Sequence, residues 1–208
     1  MPTPTPQSTP PAEPGGAASQ LEQELRSQEF LYKSLINFIY KSNIKTLSDH
    51  ICKVFAEQLG TQEAALFLHD KKTYKIYGSH SVRKQRTQSV HLGAKSPFVK
   101  RIKAINKSII AKNQGDFSVE EFKVLFLKKT LSRFTLDYVL ILKRKKFIGF
   151  VVLGKTKEDA PVKLTTETRA LVSHLIEQAS ISLDQMMLHN DIQELENKNK
   201  KQREIKDF

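Results

Sequence analysis

Lys146-Phe-Ile-Gly-Phe-Val-Val-Leu-Gly154 is the most telling stretch of this chain. Its apolar residues are β-branched or aromatic, and Gly154 precedes a polar loop, so it reads as a buried strand over 147–154. Upstream, Leu136-Asp-Tyr-Val-Leu-Ile-Leu142 reads the same way. Between them lies only the basic turn Lys143-Arg-Lys-Lys146, which makes the pair a hairpin. Downstream, a loop with Pro161 leads to Thr165, which caps a final helix with Glu167 and Thr168 in its first turn.

Working back from the hairpin, Ser118-Val-Glu-Glu121 is a capping box for a helix to about Arg133, after a turn at 113–116. Ser108 to Ala111 reads as a short strand. Ser96-Pro97 starts a helix over 97–106, with Ser as N-cap and Pro in the first turn. The period before it is strand-like at 64–69, 74–77 and 88–92, with a turn at 70–73 and a basic loop from Ser79. Leu47 to Leu59 is an amphipathic helix that Thr46 or Ser48 can cap and Gly60 stops. A longer helix from Gln20 to about Tyr40 carries Leu21, Leu25, Gln28, Tyr32, Leu35 and Ile39 on one stripe. The segment 1–19 holds six of the eight prolines and one charge, and reads as a disordered, Pro-rich tail.

The order of elements predicts an α+β domain: a central, mainly antiparallel sheet of about six strands sandwiched between helices, with long helices at both ends. The domain is expected over 20–190. Residues 191–208 are expected to be a coiled-coil connector to an effector beyond Phe208. Ile181, Gln185, Leu188, Ile192, Leu195, Asn199 and Gln202 alternate by four and three, a seam suited to a parallel homodimer with Asn199 as its polar a-position residue.

Composition narrows the function. Hydrophobic residues are 39% of the 208, enough for a core. The single cysteine, Cys52, excludes an intrachain disulfide and a Cys-x-x-Cys metal site, and points to a reduced, cytoplasmic setting. No apolar run is long enough to span a membrane. The net charge of +12 suits an anionic partner. The basic runs Arg83-Lys-Gln-Arg86 and Lys143-Arg-Lys-Lys146 lie in loops without interleaved aromatics, so nucleic acid is not the expected one. No phosphate loop, dinucleotide fingerprint or zinc-protease motif occurs. The six histidines are scattered. His69 and His91 sit on strands and can face one pocket, but no third ligand suggests itself, so neither a metal nor a cofactor is expected.

The leading helix, Leu47-Ser-Asp-His-Ile-Cys-Lys-Val-Phe55, Ala64-Ala-Leu-Phe-Leu68, the Lys146–Gly154 strand and the helix Leu164–Leu183 occur in an order and spacing that resemble the GAF domain family over about 31–184. Such domains commonly end in an aliphatic-Gly-aliphatic-aliphatic-aliphatic-Gly strand followed by a helix. The resemblance implies a non-enzymatic sensor or dimerisation module that passes a signal through helices to a catalytic domain. It implies a ligand pocket between the sheet and the connection 92–113. The residues there are Lys95, Ser96, Pro97, Phe98 and Val99, then Ile110, Ala111, Lys112 and Asn113, with Phe98 or Phe117 available to stack on a purine.

Elementary chemistry agrees with an anion at that place: backbone N–H groups of Phe98 and Val99 and the Ser96 hydroxyl sit at a helix N-terminus beside lysines. The plainer reading is a capped helix packing Phe98 into a core, with solvated lysines. The expected ligand is a small anion, cAMP or cGMP first, although the Asn-Lys, Phe, Asp-Glu signature of animal cyclic-nucleotide GAF domains is incomplete here, since no Asp-Glu follows Asn106-Lys107. The expected effector is a diguanylate cyclase. The alternatives are a ligand-free dimerisation module of a histidine kinase or phosphatase, and a GAF-fold methionine sulfoxide reductase. The latter needs paired reactive cysteines. Cys52, beside Ile51 and Phe55, reads instead as a small buried hydrophobe.

Overall fold

A computed structural model describes residues 25–26, 29–30, 33–34, 38, 43–70, 72–80, 91–111, 136–156 and 164–206. In chain order these form helix α1 (Ile44–Gln58), strands β1 (Thr61–Asp70), β2 (Thr73–His80) and β3 (His91–Gly93), helix α2 (Pro97–Ala104), strands β4 (Ile109–Ala111), β5 (Leu136–Lys143) and β6 (Phe147–Thr156), and helix α3 (Thr166–Lys206). Upstream of α1, Leu25, Arg26, Glu29, Phe30, Lys33, Ser34 and Phe38 are helical. The expected tail over 1–19, the turn at 113–116 and the helix from Ser118 lie outside the described residues.

The six strands form one sheet in the order β3-β2-β1-β6-β5-β4, antiparallel at every pairing. β1 and β6 are its centre, paired from Thr61↔Thr156 to Leu68↔Gly149. Both faces are covered, which is why Ala64-Ala-Leu-Phe-Leu68 is buried throughout instead of alternating with polar residues. Ala64, Leu66, Leu68, Leu140, Leu142, Val151 and Leu153 face α1 and α3. They pack there with Ile51, Phe55, Leu175 and Ala179. Ala65, Phe67, Val139, Ile141, Phe150 and Val152 face α2. The α+β sandwich expected from the order of elements is the one found.

Gly149 is the point on which β6 turns. On the β5 side Leu142 pairs with Gly149 but Lys143 with Phe147, so Ile148 is an extra residue. A bulge of this kind inverts the side-chain alternation. Phe147 faces α2, Ile148 faces α1 and α3, and beyond the glycine Phe150 faces α2 again. At the same place β1 comes so close that a Cβ on Gly149 would lie 2.1 Å from the Phe67 carbonyl oxygen. β2 uses the same device opposite Leu66/Phe67, where Tyr77 is the extra residue. Tyr74 and Ile76 face α2, while Gly78 meets α1 so closely that a Cβ would lie 2.3 Å from the Ser48 carbonyl carbon.

The caps place the helices. Asn43, not Thr46 or Ser48, caps α1: its Oδ1 accepts from the Thr46 N–H at 2.9 Å, so the helix starts three residues before Leu47. Thr46 is inside the first turn, and its hydroxyl donates to the Asn43 carbonyl at 3.0 Å. A residue within reach upstream displaced the Ser/Thr signal, since Asn caps at least as well. Gly60 ends α1 at φ 59° and its N–H donates to the Glu57 carbonyl. Asp49 ties α1 to β2, accepting from the Ser79 N–H at 2.8 Å. Thr165 caps α3, accepting from the Thr168 N–H at 3.1 Å. α3 then runs unbroken for 41 residues, through the expected boundary at 190/191. Leu183 is its last fully buried residue.

Two glycines test this account. Gly149→Ala should cost about 1–3 kcal/mol in urea unfolding, the usual range for overpacking. Gly93→Ala, with nothing within 4 Å of an added Cβ, should change stability by less than about 0.5 kcal/mol.

Candidate functional site

The segment leading into α2 is a compact turn. The Ala94 N–H donates to the Lys72 carbonyl at 3.1 Å and the Ser96 N–H to the Gly93 carbonyl at 2.9 Å. Ser96 is the N-cap of α2, with Pro97 in the first turn as its sequence predicts. The Val99 N–H donates to Ser96 Oγ at 3.4 Å, so the cap satisfies one of the donors proposed for an anion. Lys95 and Pro97 are exposed and Ser96 is half-buried.

Phe98 and Val99 face inward and are buried. The Phe98 ring meets Phe150 edge-on at 5.6 Å, and Phe150 stacks on Phe67 at 4.9 Å with 10° between planes. Tyr74 joins at 5.7 Å from Phe150. Such pairs add about 0.5–1.5 kcal/mol each beyond area burial, so α2 is seated on the sheet by aromatic packing. Lys103, on the outer side, holds its Nζ 5.4 Å from the Tyr74 ring centre and 5.1 Å from that of Phe147. That placement lets an exposed lysine cover the edge of the aromatic cluster.

The other half of the expected site divides. Ile110 joins Phe98 and Val99 in the cluster under α2, whereas its neighbours Ile109 and Ala111 face α1 and α3. Alternation along β4 separates them. β3, which leads to Ser96, and β4 are the two edges of the sheet. What joins the two halves is the apolar layer beneath α2. Lys112, Asn113 and Phe117 lie outside the described residues.

A cavity that the sequence did not signal lies at the β4 edge. Ile105, Asn106, Lys107, Ser108, Ile141, Lys143, Ser173, Ile176 and Glu177 line about 320 Å³. Its residues come from three segments far apart in the chain, so no local spacing marks it. Elsewhere, His69 packs its ring 5.1 Å from Tyr74. The side chain of His91 lies outside the described residues. Among the described residues no group of three or more His, Cys, Asp or Glu side chains gathers as metal ligands. No described helix is long and apolar enough to cross a membrane.

Cys52 is fully buried, as its helical position predicts. Burial, and then the charge of Asp49, push its thiol far above the usual range. The thiolate is the reactive form, so this sulfur is inert in the folded chain.

No family model and no curated protein matches the chain. Its fold matches solved structures. The GAF domain of a phosphoenolpyruvate-protein phosphotransferase from Acinetobacter superposes with a TM-score of 0.60 at 12% identity, over 78% of this chain and 95% of that one. The corresponding GAF domain from Coxiella burnetii gives 0.62 at 10% identity, over 80% and 98%. The chromophore-binding domain of the Stigmatella aurantiaca bacteriophytochrome gives 0.55 at 14% identity, over 77% of this chain and 60% of that one. The chain has the GAF-domain fold, as the resemblance in its sequence implied.

The buried thiol has two measurable consequences. Alkylation of Cys52 should be undetectable in the native chain and complete in denaturant, read by mass spectrometry. Its folded pKa is raised, so its contribution to stability is intact below the unfolded value of about 8.5 and falls as pH rises above it. Urea unfolding between about pH 8.5 and 10 should therefore show a decline approaching 1.4 kcal/mol per pH unit that Cys52→Ala removes.

Proposed function

We propose that this chain is a regulatory sensor module that works as a homodimer and passes its signal along α3. The observation that carries the reading is the helix itself. It leaves the core after Met187 and continues to Lys206 with Leu188, Ile192 and Leu195 exposed by 49%, 53% and 59%. A helix with leucine and isoleucine at four-and-three spacing and nothing among the described residues covering them is suited to a second copy. Parallel pairing brings whatever α3 leads to from both copies to the same end. That suits an effector with a two-subunit active site, for which a diguanylate cyclase is the first candidate. The seam is weak, because Gln185, Asn199 and Gln202 interrupt it, and a weak seam can change register when the domains rotate.

The input is a small anion, with cAMP and cGMP as the first probes. Support comes from the exposed Lys95 next to the Ser96 cap at the start of α2. A ligand there shifts the seam only as far as it prefers one dimer arrangement over the other.

Sedimentation tests the output. The wild type should be a dimer at tens of micromolar, and Leu188→Asp with Leu195→Asp should be a monomer. A monomeric wild type, or an equally dimeric variant, removes α3 as the contact. Thermal shift tests the input. cAMP or cGMP at a hundred times its Kd should add about 2.7 kcal/mol and raise Tm by a few degrees. Lys95→Ala with Ser96→Ala should weaken that binding at least tenfold, since charged hydrogen bonds contribute about 1.5–3 kcal/mol each. An unchanged affinity moves the ligand elsewhere.

A further inference from the structure

The cavity at the β4 edge is independent of the sensor reading above. It lies past the last turn of α2, while the expected anion site is at the first turn, about 12 Å away along an eight-residue helix. Its volume of about 320 Å³ is at the lower end of the range for small-molecule sites. Three isoleucines, Ile105, Ile141 and Ile176, supply apolar wall, and Ile141 and Ile176 are otherwise buried in the two cores. The polar wall is mixed in a specific way. Lys107 and Lys143 bring two positive charges, Glu177 brings one negative charge, and Asn106, Ser108 and Ser173 bring neutral donors and acceptors. The backbone around it is held, since the Ile141 N–H donates to the Ser108 carbonyl at 2.8 Å.

We propose that this cavity binds a small apolar amino acid as its zwitterion. The carboxylate is held by the Lys143 ammonium group with the serine hydroxyls. The α-ammonium group is held by the Glu177 carboxylate. The hydrocarbon side chain lies against the isoleucines. A simple anion would leave Glu177 facing it, and a simple cation would leave Lys143 facing it. The charge pattern therefore selects a ligand carrying both signs close together with a hydrocarbon body. The exposed Lys143–Lys146 turn beside the cavity raises the local concentration of carboxylates and so the on-rate.

The test uses the full chain, amide-resolved NMR titration and three probes of similar size: L-leucine, isocaproate, which lacks the ammonium group, and isoamylamine, which lacks the carboxylate. L-leucine should give saturable shifts at Asn106, Lys107, Ser108, Lys143, Ser173 and Glu177, and bind about tenfold more tightly than either control. Lys143→Met should weaken L-leucine about tenfold. Glu177→Gln should bring L-leucine and isocaproate to the same affinity. Both side chains are exposed, so both variants keep the fold. The proposal is overturned by an absence of saturable shifts, by L-leucine affinity that survives both substitutions, or by shifts centred on Ser96–Val99. The last outcome also differs from failure of the sensor reading, which the α3 dimer and the cyclic nucleotides test separately.

Discussion

The contact between Gly149 and the Phe67 carbonyl governs the rest of this structure. β1 and β6 are the central strands, and they approach each other there more closely than any side chain allows. The adjoining bulge turns Ile148 to one face and Phe147 and Phe150 to the other. Without that inversion, Phe147 and Phe150 would lie on opposite faces, and the aromatic cluster under α2 would lose one of them. The glycine is therefore required for steric reasons, and the two apolar layers depend on it through the bulge.

The two layers serve different ends. The layer under α1 and α3 is mostly aliphatic and anchors the helix that leaves the domain. The layer under α2 is built around an aromatic cluster of Phe67, Tyr74, Phe98 and Phe150 and seats a short helix whose first turn is the expected place for an anion. The two layers share the same strands, because Val139, Ile141, Phe150 and Val152 on one face alternate with Leu140, Leu142, Val151 and Leu153 on the other. Close packing of both layers makes these strands stiff.

Much of the architecture was legible beforehand. The hairpin from Leu136, the start of α2 at Ser96-Pro97, the stop at Gly60 and the cap at Thr165 are all local signals, and each lies where the chain predicted it, except that β6 runs on to Thr156 instead of ending at Gly154. The cap of α1 was misplaced by three residues. Asn43, Thr46 and Ser48 are all competent caps, and only the path of the incoming chain selects among them. β1 begins at Thr61 instead of Ala64 and β2 continues to His80 instead of Tyr77. Strand ends are set by pairing with neighbours, and those neighbours are far away in the chain.

The sequence by itself determined the class of fold, the identity of the inward-facing residues of the helices, the burial of Cys52 and the presence of a long helix with an uncovered apolar seam. These depend on periodicity, capping and side-chain chemistry, which act over a few residues. Tertiary structure alone decided that Ile110 faces α2 while Ala111 faces α3, and that Lys107, Lys143 and Glu177 meet around one cavity. Those outcomes depend on strand order, bulge position and the packing of segments more than thirty residues apart. Local propensity carries no information about such distances, because the residues that meet share no periodic relation along the chain.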